Sequence, residues 1–160
     1  MFRLDPAIGA YYDRVPEESR LELGPFRLEA LRTREPVLRH APGPPVDALD
    51  IGGAAGAYAF WLAELGYAVQ LVDAAPRLIR VARMRNAEAT HQLKSCAVAD
   101  ARALPHPNAS ADMVLLLGPL YHLVEADDRR QVLAEAHRVL RDNGVLISAG
   151  ISRWRPRSTA

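Results

Sequence analysis

A glycine turn and the acids around it are the residues whose types and spacing could do chemistry. The run Leu49-Asp50-Ile51-Gly52-Gly53-Ala54-Ala55-Gly56 is followed, seventeen residues past Gly56, by Asp73. A strand that turns at once into a helix needs left-handed backbone angles and close backbone approach, which glycine allows. The first N–H groups of the following helix have no intrahelical partner and can hydrogen-bond a bound group. An acid at the carboxyl end of the next strand can accept both hydroxyls of a ribose, and Asp73 holds that place. Together these features describe a nucleotide-sized crevice. The same letters also suit a tight strand–helix turn without a ligand and an ordinary strand-end aspartate.

No register of this turn supplies the Gly-x-Gly-x-x-Gly of a dinucleotide site. Instead Asp50 stands two residues before the first glycine, and Gly56 comes four residues after it. An acid there suits a ligand with a cationic group, such as an amino acid ammonium, and would be a poor neighbour for a pyrophosphate. A nicotinamide-dependent enzyme is therefore the disfavoured alternative.

The elements that must position these residues follow from hydrophobic patterning. Val46 to Ile51 and Ala68 to Asp73 read as buried strands, with a helix over Ala57 to Leu65 that Gly66 stops. Upstream, Phe26, Leu28, Leu31 and Leu38 suggest an amphipathic helix disturbed near Pro36, and Pro42-Gly43-Pro44-Pro45 breaks the chain before the first strand. Pro76 opens a helix to about Ala89, Lys94 to Ala99 is a short strand, and Asp112 to Leu117 is a strongly apolar fourth strand. Asp128 with Gln131 predicts a capping box for a helix whose apolar face is Val132, Leu133, Ala136, Val139 and Leu140. Asn143-Gly144 closes that helix, and Val145 to Ala149 is the fifth strand. Alternating strands and helices with near-continuous apolar strands predict a parallel sheet covered on both faces.

The turn resembles motif I of the class I S-adenosylmethionine (SAM) dependent methyltransferases, hydrophobic-Asp-hydrophobic-Gly-x-Gly-x-Gly, with Ala54 at the middle glycine. Ala99-Asp100-Ala101-Arg102-Ala103-Leu104-Pro105 resembles their segment after strand three, where an Asp receives the adenine amino group and the next backbone N–H meets a ring nitrogen. Asp112 to Leu123, including Gly118-Pro119-Leu120-Tyr121-His122-Leu123, is similar to motif IV and its sequel. Arg138-Val139-Leu140-Arg141-Asp142-Asn143-Gly144 is similar to Arg-Val-Leu-x-Pro-Gly-Gly. The Gly-Pro-Leu-Tyr-His-Leu form, with Tyr11-Tyr12, Glu17 to Arg20 and Arg32 to Glu35, resembles a bacterial group acting on small molecules. The resemblance covers about residues 10–152.

What the resemblance implies is specific. Asp50, Gly52, Gly53, Ala54 and Gly56 would hold the methionine end of SAM, and Asp73 with Ala74 the ribose. Asp100 and Ala101 would meet the adenine, and Leu117 would line the cofactor from strand four. Tyr12 would cover it from an N-terminal lid, plain packing being the other reading. His122 could be a general base for an oxygen or nitrogen acceptor, or a packed, hydrogen-bonded histidine. Methyl transfer from a sulfonium is an in-line displacement with a good leaving group, so positioning and desolvation can carry much of the catalysis and no triad is required.

The expected fold class is α/β: a Rossmann-like doubly wound parallel sheet of about five strands, order 3-2-1-4-5, with an N-terminal helical segment. It would lack the family's strands six and seven, as a truncated or frameshifted form would. Residues 1–44 are read as a lid or cap, 45–152 as the SAM-binding core and 153–160 as a polar tail. A module that binds SAM without turnover is the second reading. The exposed edge of strand five invites pairing with a second copy.

Composition bounds the rest. With 49% hydrophobic and 24% charged residues, the 160-residue chain reads as one globular domain. Its net charge of +1 gives no reason to expect nucleic acid or an anionic membrane as a partner. The single Cys96 allows no internal disulfide and suits a reducing cytoplasm, and the five histidines have no metal-ligand spacing. The partner expected is a small-molecule methyl acceptor.

Overall fold

The structure, a computed structural model, describes residues 25–150. Helix α1 (Pro25–His40) leads into β1 (Asp47–Ile51), α2 (Ala57–Glu64), β2 (Ala68–Asp73), α3 (Pro76–Glu88) and β3 (Ser95–Val98). Then come β4 (Ala111–Leu116), a single 3-10 turn (Pro119–Tyr121), α4 (Ala126–Val139) and β5 (Leu140–Ser148). The five strands form one parallel sheet, as the patterning predicts, in the order β3-β2-β1-β4-β5 that the resemblance implies.

Strand alternation sorts the core into two layers. Ala48, Val69, Leu71, Met113 and Leu115 face α1, α2 and α3. Leu49, Ile51, Val72, Val114 and Leu116 face the other way, against Val132, Ala136 and Val139 of α4. Each fully buried leucine, isoleucine or valine contributes roughly 2 kcal/mol through burial. The direction of strand addition reverses between β1 and β4, so their carboxyl ends flank a topological switch point, where open α/β sheets bind ligands.

Four details depart from the patterning. α1 runs unbroken through Pro36 and buries Ala30 and Val37, while Leu28, Leu31 and Leu38 face outward. Val37 packs into the core layer formed with α2 and α3. α4 begins at Ala126 with Glu125 at its cap, so the capping box at Asp128 and Gln131 does not form. Asp128 is drawn instead to Arg102, with Nη1 2.8 Å from its Oδ2. Asn143-Gly144 does not close the helix: α4 ends at Val139 and the chain enters β5 at once. Asn143, at φ 63°, sits in an irregular stretch where pairing jumps from Ala111–Leu140 to Met113–Val145. Leu140 thus belongs to the strand, and Leu133 is 40% exposed, leaving Val132, Ala136 and Val139 as the buried helix face.

Candidate functional site

The topology gathers the carboxyl ends of β1 to β4, and with them Asp50, the Gly52–Gly56 turn, Asp73, Asp100 and the Leu117–His122 segment. Tyr12 lies outside the described residues.

The turn is packed too closely for side chains at its first two positions. Gly52 has φ +71°, and a Cβ there would lie 2.6 Å from the Pro119 Cγ. A Cβ on Gly53 would lie 2.3 Å from the Asp50 Oδ2 and 2.5 Å from the Leu71 Cδ1. Ala54 itself is left-handed, at φ 52°. A residue with a Cβ is strained by about 1 kcal/mol in that conformation, which accounts for the glycine more usual there. Gly56 precedes α2, and its carbonyl accepts the Phe60 N–H at 2.9 Å.

Asp73 ties this turn to the second strand. Its Oδ2 accepts the Ala54 N–H and its Oδ1 the Ala75 N–H, each at 2.8 Å. Each oxygen has a second acceptor site for an incoming hydroxyl. Burial pushes the Asp73 carboxyl up, while the Ala75 and Ala54 N–H groups and the nearby His122 pull it back. Ala74 is half-buried beside it.

Asp50 lies beneath the turn, only 1% exposed, and its Oδ2 has no hydrogen-bond partner. Burial first, and the Asp73 charge second, push its carboxyl up to about 7. The Ala59 backbone N–H in the first turn of α2 works in the opposite direction. Asp50 therefore sits under the first turn of α2, where the Ala59 N–H only partly offsets the cost of burying its charge.

Asp100 opens a tight turn two residues past Val98, which pairs with Asp73. Its carboxylate accepts the Arg102 backbone N–H at 2.9 Å and the Arg102 Nε at 3.1 Å. Ala101 packs toward the α4 layer and Leu117 toward the α1–α3 layer, both half-buried. The His122 N–H donates to the Pro119 carbonyl at 3.1 Å, and its ring centroid is 4.8 Å from that of Tyr121. His122 is thus near Asp73 and in contact with its neighbour, an arrangement compatible with both of its sequence readings. His137 is exposed on α4.

Three participants were not evident as site elements from sequence. Pro119 seals the glycine turn from above, Ala59 serves Asp50, and Arg102 engages Asp100 and Asp128. Only Arg102 carries a signal, a cation two residues after an acid in a turn. A cavity of about 340 Å³ lined by Phe60, Glu64, Arg85 and His91 lies between α2 and the end of α3, on the helical flank rather than at the strand ends. Among the described residues no cluster of His, Cys, Asp and Glu could hold a metal ion, and no helix is long and apolar enough to cross a membrane. Cys96 is free and buried.

Residues 49–148 match the family described as "Methyltransferase domain". The chain is 37% identical over 101 residues to the glycine/sarcosine N-methyltransferase of Parasynechococcus marenigrum, covering 62% of this chain and 36% of that one. It is 36% identical over 123 residues to the ubiquinone/menaquinone biosynthesis C-methyltransferase of Acidiphilium cryptum, covering 75% and 48%. The crystal structure of a Pyrococcus horikoshii protein superposes with a TM-score of 0.73 at 26% identity, covering 87% of this chain and 64% of that one. The chain thus spans less than half the length of these two curated relatives. The glycine turn, its acids and the strand order all lie inside the matched segment, and the chain belongs to the methyltransferase-domain family, of the class I SAM-dependent kind.

Proposed function

We propose that the chain binds S-adenosylmethionine at the carboxyl ends of β1 to β4 and serves methyl transfer to a small-molecule acceptor. The observation that carries this is the joint between the turn and Asp73: the Ala54 N–H fixes an acid at the end of β2 whose two oxygens retain acceptor capacity.

The residues fit the cofactor. A turn with no room for side chains at Gly52 and Gly53 would present its backbone to a ligand, and the acid buried beneath it with an unpartnered oxygen suits a ligand with a cationic amino acid end nearby and not in contact. Gly52, Gly53, Ala54 and Gly56 would receive that end, with Asp50 supporting the turn from below. Asp73 and Ala74 would hold the ribose, Asp100 and Ala101 the adenine, and Leu117 the flank toward β4. Once bound, the cofactor supplies a methyl group activated on a sulfonium. The chain's own work is orientation and exclusion of water, for which Pro119 closes the turn and His122 stands ready to accept a proton.

The names of the two curated relatives specify glycine and sarcosine for one and ubiquinone and menaquinone biosynthesis for the other. They support a small-molecule acceptor of unspecified identity. A module that binds SAM without turnover is the second reading.

Calorimetric titration with SAM, its demethylated product and NAD tests the proposal. Binding of both sulfur nucleosides and not NAD is expected; NAD binding alone overturns it. Methyl transfer to any acceptor excludes the second reading. Among the described residues the outer edge of β5 is unpaired, and pairing of two copies along it is proposed. Light scattering is expected to give a dimer mass, and a monomer refutes that pairing.

A further inference from the structure

A second concavity lies away from the strand ends, between α2 and the carboxyl end of α3. Its volume is about 340 Å³, and Phe60 and Glu64 of α2, Arg85 and Glu88 of α3 and the Ala89–His91 turn line it. That is within the range of small-molecule sites, roughly 300–1,000 Å³. The proposed cofactor site uses none of these side chains.

The floor of the cavity is fixed. Phe60 is buried and wedged against the backbone at Gly56, where an added Cβ would lie 3.0 Å from its Cε2. The Arg85 guanidinium lies over the Phe60 ring, with Cζ 4.7 Å from the centroid, and its Nη1 reaches the Ala55 carbonyl at 3.4 Å. An aromatic face holds a guanidinium without occupying its N–H groups. A guanidinium has five donor hydrogens in a planar fork, and one long contact leaves most of them for a ligand. The group that matches the fork is a carboxylate, which accepts two of those hydrogens side by side.

The rest of the lining carries the opposite sign. No hydrogen bond or ion pair among the described residues engages the side chains of Glu64, Glu88 or His91. Nor do these three converge as a metal site. Two carboxylates that line one cavity without sharing a point cation suit an organic ammonium, with three donors to divide between them. An amine alone leaves the Arg85 fork unmatched, and a carboxylate alone leaves both acids unmatched. A molecule carrying both charges on a small frame satisfies the whole lining, and Phe60 and Ala89 offer apolar surface to the remainder of it.

We propose that this cavity is a second small-molecule site, for a free amino acid with an apolar side chain. Its carboxylate rests on the Arg85 fork, its ammonium between Glu64 and Glu88, and its side chain against Phe60 and Ala89. The site stands apart from the strand ends and does not depend on what they bind.

Calorimetry with three probes on one carbon frame tests the proposal: leucine, 4-methylpentanoate, which lacks the ammonium, and 3-methylbutylamine, which lacks the carboxylate. Leucine is expected to bind with a dissociation constant of about 1 mM or tighter, and each truncated probe roughly tenfold more weakly. Arg85→Ala should remove the advantage of leucine over 3-methylbutylamine, and Arg85→Lys, which keeps the charge without the fork, should recover part of it. Glu64→Gln combined with Glu88→Gln should remove the advantage over 4-methylpentanoate. All three side chains are exposed, so these variants should keep the wild-type melting temperature. The chain saturated with S-adenosylhomocysteine should bind leucine as tightly as the free chain does. Leucine that fails to bind, that binds no better than the truncated probes, that binds the variants unchanged, or that S-adenosylhomocysteine displaces, overturns the proposal. If S-adenosylhomocysteine itself does not bind, the proposed function fails, and the Arg85 and glutamate variants still decide the cavity.

Discussion

The two ends of the sheet use aspartate in opposite ways. At the amino ends, Asp47 opens β1, Asp112 is the second residue of β4, and both are compensated: Lys94 and Arg141 pair with Asp47, and Arg141 and the Asp47 N–H with Asp112. These partners hold both carboxyls below the usual carboxylate range. At the carboxyl ends, Asp50 and Asp73 are pushed up by burial, and Asp50 keeps an unpartnered oxygen. Left-handed backbone at Gly52, Ala54 and Gly56 lies at the same end. One end is built for stability, whereas the other stores strain in the turn and unsatisfied polarity beneath it.

The sharpest way to break this contrast is to fill the cradle. Gly53→Ala would drive a methyl group into the Asp50 carboxylate and the Leu71 side chain, both within 2.5 Å. Overpacking of this kind costs about 1–3 kcal/mol, and the displaced turn would lose its joint to Asp73. The expected outcome is a clear drop in urea midpoint and at least a hundredfold loss of SAM affinity, read by chemical denaturation and calorimetry. Gly52→Ala should behave similarly, since it adds a contact with Pro119 to a positive φ.

The next largest effect is in pH dependence. In the unfolded chain Asp50 ionises near its ordinary value of 3.8, whereas in the folded chain it holds its proton to about 7. The folded state therefore binds more protons between these values, and the stability contributed by this group falls as pH rises through that window. The shift corresponds to about 4 kcal/mol at most. Asp50→Asn removes the ionisation, so the difference in stability between variant and wild type should grow in the variant's favour from pH 4 to pH 7. A constant difference across that range, measured by urea denaturation, would contradict the burial of an unpaired acid.

How much of this was legible in the sequence follows from what each feature depends on. The strands were readable because near-continuous apolar runs must lie between two helical layers, whereas their order followed from the family resemblance and not from the patterning. The glycine turn and Asp73 were readable because backbone constraint limits residue choice. The errors arose where a tertiary partner outbid a local signal. Asp128 has the letters of a cap but is drawn to Arg102 across the loop. Asn143-Gly144 has the letters of a helix stop but makes an irregular entry to β5, its left-handed residue serving the strand. The leucines of α1 have helical spacing, yet Ala30 and Val37 are the buried residues. That Asp50 lies under the turn could not be read at all, because facing a ligand and facing a helix leave the same letter.

The smallest effect tests the compensated end. Arg141→Ala removes the donor shared by Asp47 and Asp112 and leaves two carboxylates side by side, with Lys94 serving only one. Both acids have lowered values in the folded state, so their contribution is present above the unfolded value and lost as pH falls through the folded one. Arg141 is open to solvent, so the loss at neutral pH should be a few degrees in melting temperature and should shrink in high salt. It should also fade at strongly acidic pH, where both carboxyls are protonated. That dependence is opposite in sign to the one expected at Asp50. SAM affinity should stay at the wild-type value, because this cluster is a full strand length from the glycine turn; a variant that lost affinity along with stability would show that the two ends are coupled.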